Sequence, residues 1–282
     1  MTKKVIFIAD FFANQVAGGG ELNNEEAIKL LEKKGYKVAK LNSRNCTADL
    51  LKNCRQYFFI IANFVELNKD CLDYLENNCR YIIYEHDHKY LKTRNPADFP
   101  DYIAPKDQII NESFYQKAVG VLCQSNFHKN IMLKNISNVN VVNLSGNLWS
   151  MDEFSLMNSL QEKQKEDSCA IMDTQNWHKN TAGAVKYCIS KNYKYNLIGQ
   201  MKYEEFLREL SNNNKLVFFP QTPETLSRIV VECRMMGMSV TTNDKVGATQ
   251  EPWFSLKGHD LIREMFSRRE TIIDTIEGFI NE

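Results

Sequence analysis

KLVFFPQTPETLSRIVVECRMMGMSVTTNDKVGA (215–248) holds one complete unit of the fold. KLVFFP (215–220) reads as a buried strand that ends in Pro220. A short loop follows, then a helix-compatible stretch, TLSRIVVECRMMG, and a second strand, SVTTN (239–243). A strand, a helix and a strand with short links make a parallel pair with the helix laid on one face.

Working outward, the same rhythm recurs. SCAIMDT (168–174) and KYNLIG (194–199) read as strands, with TAGAVKYCISKN and YEEFLRELSNN as the helices between them. In the first half, KKVIFIAD (3–10), YKVAKLN (36–42), QYFFIIAN (56–63), RYIIYEH (80–86), VGVLCQS (119–125) and NVNVVN (138–143) are strand-like. A glycine loop, Gly18–Gly20, opens a helical stripe through Leu22, Ala27, Leu30 and Leu31 that stops at Gly35, as a helix cap would. The rhythm breaks in 144–167, a polar stretch without apolar periodicity. The reading is therefore a Rossmann-like domain at 1–150, a linker at 151–167 and a second such domain at 168–260. A closing helix at 261–282 is available to pack back on the first domain.

With 35 basic and 35 acidic side chains, the 282-residue chain has a formal net charge of zero. A sequence-independent grip on nucleic-acid backbone needs a basic surplus, so nucleic acid is not an expected partner. No apolar run is long enough to span a bilayer and no signal-peptide layout is present, so the expected location is the cytoplasm. The cysteines, at 46, 54, 71, 79, 123, 169, 188 and 233, form neither a CxxC pair nor a zinc-spaced cluster. Reduced, buried thiols are expected.

Open α/β sheets bind ligands beyond the carboxyl ends of their strands, so the residues there are the candidates. In the 215–248 unit the helix is expected to begin near Pro223, with Glu224 favoured by the positive end of its dipole. Glu224 and Glu232 would then share a helix face, about 12 Å apart along the axis. That is too far for a glycosidase acid/base pair on one bond. It suits two contacts to an extended ligand, or equally a capping glutamate and a solvated one. YIIYEHDHKY (81–90) places His86 and His88 beyond a strand; no second cluster completes a metal site, so none is expected. Gly18–Gly20 before a helix is a plausible anion site but not a GxGxxG loop. The long loop 91–111 is a candidate wall or lid, with Phe99, Tyr102 and Trp253 as either ring-stacking or core residues.

PETLSRIVVEC-x-x-x-G with its following strand and glycine loop resembles the E-x7-E segment of retaining GT-B glycosyltransferases, the broad family that includes sucrose synthase and many bacterial mannosyl- and glucosyltransferases. GGGELNNEEAIKLLEKKGYKV, LCQSNFHKNIMLKNISNVNVVNLSGN and DTQNWHKNTAGAVKYC resemble that family's glycine loop, strand–Ser–helix unit and phosphate loop, in the same order. The resemblance implies two Rossmann-like doubly wound domains facing across a cleft. The implied activity is transfer of a sugar from a nucleotide-diphosphate donor to a hydroxyl acceptor with retention, without metal or other cofactor. It implies catalytic roles for His86 beside the reacting sugar, Glu224 on the donor sugar's hydroxyls and Lys179 on the departing diphosphate. Glu232 would hold the ribose, and Gly19, Gly20, Arg228 and Gly247 would complete the donor site; the alternatives are a solvated Lys179 at a helix start, an exposed helix residue at Arg228 and a turn glycine at Gly247.

The chain also departs from the family. It is short, and it lacks a strand–helix unit between Cys188 and Leu197. No Arg precedes Lys179, and Glu224-Thr225-Leu226-Ser227 stands in place of E-G-F-G. Those departures keep a non-catalytic relative that binds nucleotide or glycan, or serves as a partner subunit, as the alternative. A nicotinamide oxidoreductase shares the architecture but needs a fingerprint loop that is missing here.

Overall fold

The computed structural model describes residues 4–16 and 18–282, so Lys3, at the head of the first predicted strand, lies outside the described residues. The chain forms two compact units. One runs to Leu148 and takes up Arg268–Glu282; the other is Trp149–Ser267.

The first unit contains β1 (Lys4–Ala9), α1 (Gly19–Lys33), β2 (Lys37–Asn42), α2 (Ala48–Cys54), β3 (Phe58–Ile61), α3 (Lys69–Asn78), β4 (Arg80–Tyr84), α4 (Glu112–Lys117), β5 (Gly120–Cys123), α5 (Asn126–Asn135) and β6 (Val141–Asn143). Its sheet has the order β2-β1-β3-β4-β5-β6, with every pairing parallel. Alternation sorts the side chains. Val5, Phe7 and Ala9 meet Ala27, Ile28 and Leu31 of α1 and Ile272, Ile273 and Ile276 of the closing helix. Ile6 and Ile8 face the other way, onto Leu51, Cys71 and Leu75. Both faces are buried, as the continuous apolar strands require. α1 ends in a Schellman motif: Tyr36 N–H donates to Leu31 O and Gly35 N–H to Glu32 O. Gly35 takes φ +91°, the left-handed conformation for which its lack of a Cβ suits it.

The second unit contains α6 (Met151–Gln161), β7 (Glu166–Met172), α7 (Thr181–Ser190), β8 (Tyr195–Ile198), α8 (Tyr203–Leu210), β9 (Asn213–Phe218), α9 (Arg228–Met235), β10 (Ser239–Thr242) and the start of α10 (His259–Asn281). Its four-stranded sheet has the order β10-β9-β7-β8, again all parallel. α7 covers one face through Ala184 and Cys188. α6, α8 and α9 cover the other, around Leu207, Leu210, Leu216, Val230 and Trp253. The strand order reverses between β7 and β9, which makes the carboxyl ends of these two strands the topological switch point of the sheet.

The stretch expected as a linker, 151–167, is instead α6 and the start of β7. Ser150 and Glu153 form a reciprocal capping box at its start, and Phe154, Met157 and Leu160 are buried. Three buried large side chains, each contributing about 1.5–3 kcal/mol, hold this segment inside the second unit.

The long loop 91–111 is closed at its base by an antiparallel bridge between Leu91 and Ile109. Three 3-10 turns, Pro96–Asp98, Pro100–Tyr102 and Lys106–Gln108, order its interior. No described helix is long and apolar enough to cross a membrane.

Candidate functional site

Two loops meet at the β7/β9 switch point. The first, after β7, runs through a 3-10 turn, Trp177–Lys179, into α7. Asn180 joins them with φ +54°; its Oδ1 caps α7 by accepting from Gly183 N–H, and its Nδ2 donates to Phe219 O at 2.9 Å. The second loop follows β9. Gln221 N–H donates to His178 O at 2.8 Å and Gln221 Nε2 to Trp177 O at 3.1 Å, fastening the loops together. Across this seam Lys179 Nζ lies 2.7 Å from Glu224 Oε1, and both side chains are partly exposed. The pair therefore sits at the carboxyl edge of the sheet and remains reachable from solvent.

Glu224 does not begin a helix. It forms a parallel bridge with Val246, donating its N–H to Lys245 O at 2.8 Å and accepting from Gly247 N–H at 2.9 Å. These bonds prolong the β9–β10 pairing past the strand ends, so the backbone stays extended through Pro223 and Glu224. α9 starts only at Arg228, after Ser227 at φ +76°. The two glutamates therefore do not share one helix, and the helical spacing expected between them does not apply. Gly247 opens a 3-10 turn, Gly247–Gln250, which matches the second of its two expected readings. Its N–H is committed to Glu224 O, so it positions the glutamate's backbone instead of offering that hydrogen to a phosphate.

Arg228 and Glu232 are buried one turn apart on α9. Glu232 Oε1 accepts from Arg228 Nε at 3.1 Å, Trp149 Nε1 at 3.0 Å and Tyr203 Oη at 2.7 Å. Arg228 reaches Glu153 Oε1 on α6 at 3.1 Å, and its guanidinium lies 4.7 Å from the Trp149 ring centre. Burial, with Glu232 beside it, pushes the Tyr203 hydroxyl far above its ordinary range. These partners take up Arg228, expected at a phosphate, and Glu232, expected at a ribose. Burial has made them a strut joining α6, α8 and α9. Trp253, expected as either a stacking or a core residue, is 3% exposed and belongs to the core.

In the first unit, Gly19 and Gly20 open α1 behind an extended Gly18. A Cβ on Gly20 would stand 3.6 Å from the His86 ring, so the sequence-predicted glycine loop and histidine are neighbours. His86, half-buried beyond β4, contacts Asn24 Oδ1 through Nε2 at 2.6 Å and Gln124 Nε2 through Nδ1 at 2.9 Å. Burial, with Lys89 and His128 nearby, lowers its pKa well below the usual imidazole value.

His88 is buried against Tyr90, with Nδ1 2.8 Å from the hydroxyl. Burial lowers its pKa to about 3. Beside it, Glu85, fully buried, is held by Lys89 and Tyr115. Among the described residues, no three His, Cys, Asp or Glu side chains form a metal-ligand group.

The amide partners of His86 and the Asn180 cap are residues of the candidate site that motif reading does not single out. Asn180 carries a usable signal, since asparagine before a helix is a favoured N-cap. Asn24 and Gln124 carry none, because they lie 62 and 38 positions from His86.

No protein-family model matches this sequence, and no curated protein matches it. Solved structures do resemble it. Anabaena Alr3699/HepE in complex with UDP superposes with a TM-score of 0.59 at 10% identity, covering 98% of this chain and 100% of that one. The lipopolysaccharide outer core galactosyltransferase WaaB in its apo form gives 0.52 at 13% identity, covering 99% and 94%. An alpha-glucosyltransferase in complex with UDP and a 13-mer DNA containing a HMU base gives 0.51 at 12% identity, covering 97% and 91%. What these identities share is the fold. The chain has the GT-B fold, with two Rossmann-like parallel α/β domains.

Proposed function

We propose that this protein is a glycosyltransferase that moves a sugar from a nucleoside-diphosphate donor, with uridine as the base, to a hydroxyl acceptor. The observation that carries the reading is the Lys179–Glu224 pair, a cation and a carboxylate 2.7 Å apart at the β7/β9 switch point. Uridine is favoured because HepE and the alpha-glucosyltransferase of this fold were each solved with UDP.

In this reading the donor diphosphate competes with Glu224 for Lys179. Once Lys179 turns to phosphate, Glu224 is released to accept hydrogen bonds from the donor sugar's hydroxyls. The bond from the anomeric carbon to the diphosphate oxygen breaks, its electron pair passes to that oxygen, and Lys179 stabilises the growing charge. The acceptor oxygen bonds to the anomeric carbon from the leaving-group side, and its proton passes to a phosphate oxygen, which retains the configuration. The proton balance closes without metal or another cofactor, which is part of the proposal. Arg228 and Glu232 serve it by fixing α9.

The alpha-glucosyltransferase neighbour was solved with DNA. This chain's balanced charge favours a glycan or another small hydroxyl acceptor over a nucleic acid.

The test is UDP release from UDP-sugars, with and without candidate acceptors. Wild type should release UDP, while Lys179→Ala and Glu224→Ala should fall to background with unchanged circular dichroism. Full turnover in both variants would reject the site. Tight UDP binding with no release from any UDP-sugar would favour a non-catalytic binding protein.

A further inference from the structure

His86 stands in the first unit with both ring nitrogens engaged by side-chain amides, at 2.6 Å to Asn24 and 2.9 Å to Gln124. The direction of these bonds follows from the next partner. Gln124 Nε2 is also 2.6 Å from Asn147 Oδ1, so its two hydrogens go to Asn147 and to His86 Nδ1. Nδ1 is then an acceptor, the ring hydrogen sits on Nε2, and Nε2–H donates to Asn24 Oδ1. Asn24 is fully buried on α1, and its Nδ2 has no partner. An unpaired buried donor is costly, and an apolar side chain of the same size would avoid that cost. What the asparagine supplies in return is its oxygen on the imidazole.

We propose that Asn24 and Gln124 are positioning residues for sugar transfer. They clamp His86 as a neutral imidazole with its hydrogen on Nε2, so that it presents a fixed, uncharged ring and takes up no proton during the reaction. The inference rests on the glycosyltransferase reading and deepens it, because it assigns the first unit's histidine an orienting role and leaves the proton to the donor phosphate. The surroundings agree with an uncharged ring. The Lys89 cation and the His128 ring both disfavour a second positive charge. Glu85, the nearby carboxylate, is already paired with Lys89 and Tyr115. The Asp87 carboxylate is taken by His88 N–H at 2.8 Å and by Arg94 at 3.3 Å. The ring plane is supported by Tyr84, centre to centre at 4.7 Å, and Gly20 leaves room for it beside α1.

The experiment is nitrogen NMR of the imidazoles in the full chain. His86→Gln identifies the His86 signals among the five histidines. The expected wild-type result is a neutral ring with hydrogen on Nε2 throughout about pH 5 to 8, the window in which an ordinary histidine titrates.

Asn24→Asp, or Gln124→Glu should the first variant fold poorly, places a carboxylate on the ring. Either should bring its titration into that window and add a limb to the pH profile of kcat. Asn24→Leu should lower kcat about threefold to tenfold, as expected for one lost hydrogen bond, with KM for the donor unchanged. A wild-type His86 that titrates inside the window, or that carries its hydrogen on Nδ1, overturns the proposal. So does a kcat profile identical to wild type in a variant whose His86 has become titratable. The NMR arm needs no substrate, so failure of the glycosyltransferase reading would show separately, as absence of transfer with the ring state still measured.

Discussion

The Arg228 guanidinium and the Glu232 carboxylate, one turn apart on α9, are joined at 3.1 Å and buried together. A charge removed from water needs its partner, and here a third charge, Glu153, shares the cation. Arg228→Met leaves two carboxylates uncompensated. We expect the second unit to lose about 3–5 kcal/mol of stability. All three tryptophans, Trp149, Trp177 and Trp253, lie in that unit, so its unfolding can be followed by intrinsic fluorescence in denaturant. A loss below about 1 kcal/mol, the range of an exposed pair, would show that the strut is not load-sharing.

Gly120 in β5 faces the ring of Phe279 near the end of α10. A Cβ there would stand 2.5 Å from the ring, well inside van der Waals contact. Gly120→Ala should destabilise the first unit by about 1–3 kcal/mol through overpacking. Phe279→Leu should recover a large part of that loss in the double variant, a coupling that a thermodynamic cycle reads directly. Additive effects would mean that β5 and α10 do not press on each other.

Three histidines of the first unit, His86, His88 and His128, have pKa values lowered chiefly by burial, His88 to about 3. In the unfolded chain each titrates near 6.5. Above that value neither state binds the extra proton and the three contribute nothing. As pH falls below about 6.5 the unfolded state takes up protons that the folded state refuses, so stability declines by up to about 1.4 kcal/mol per pH unit for each group. Denaturant unfolding from pH 7 to 5 should show this decline, and His88→Gln should make it shallower. A wild-type curve that is flat over this range would contradict the burial of these rings.

The strands were legible because branched and aromatic runs such as VIFIA in β1 and LVF in β9 are apolar on both faces, and only a covered parallel strand tolerates that. Segment ends were less legible. Pro223 and Glu224 look like the start of a helix, yet the neighbouring Lys245–Gly247 segment offers hydrogen bonds that hold Glu224 extended, and no local pattern announces that partner. The α6 segment did carry a signal, the Ser150…Glu153 capping box, which its polar neighbours obscured. The Lys179–Glu224 meeting was anticipated as two separate roles. Their direct contact depends on strand order, which one sequence does not display.

The most direct test of the donor-site account is UDP binding by calorimetry to wild type, Lys179→Ala and Glu224→Gln. If Lys179 holds the diphosphate, Lys179→Ala should weaken binding about tenfold or more, as for a lost charge-assisted hydrogen bond. Glu224→Gln, which removes the competing carboxylate, should bind UDP at least as tightly as wild type while failing to transfer sugar. Unchanged affinity in Lys179→Ala, or collapse of UDP binding in Glu224→Gln, would contradict the account.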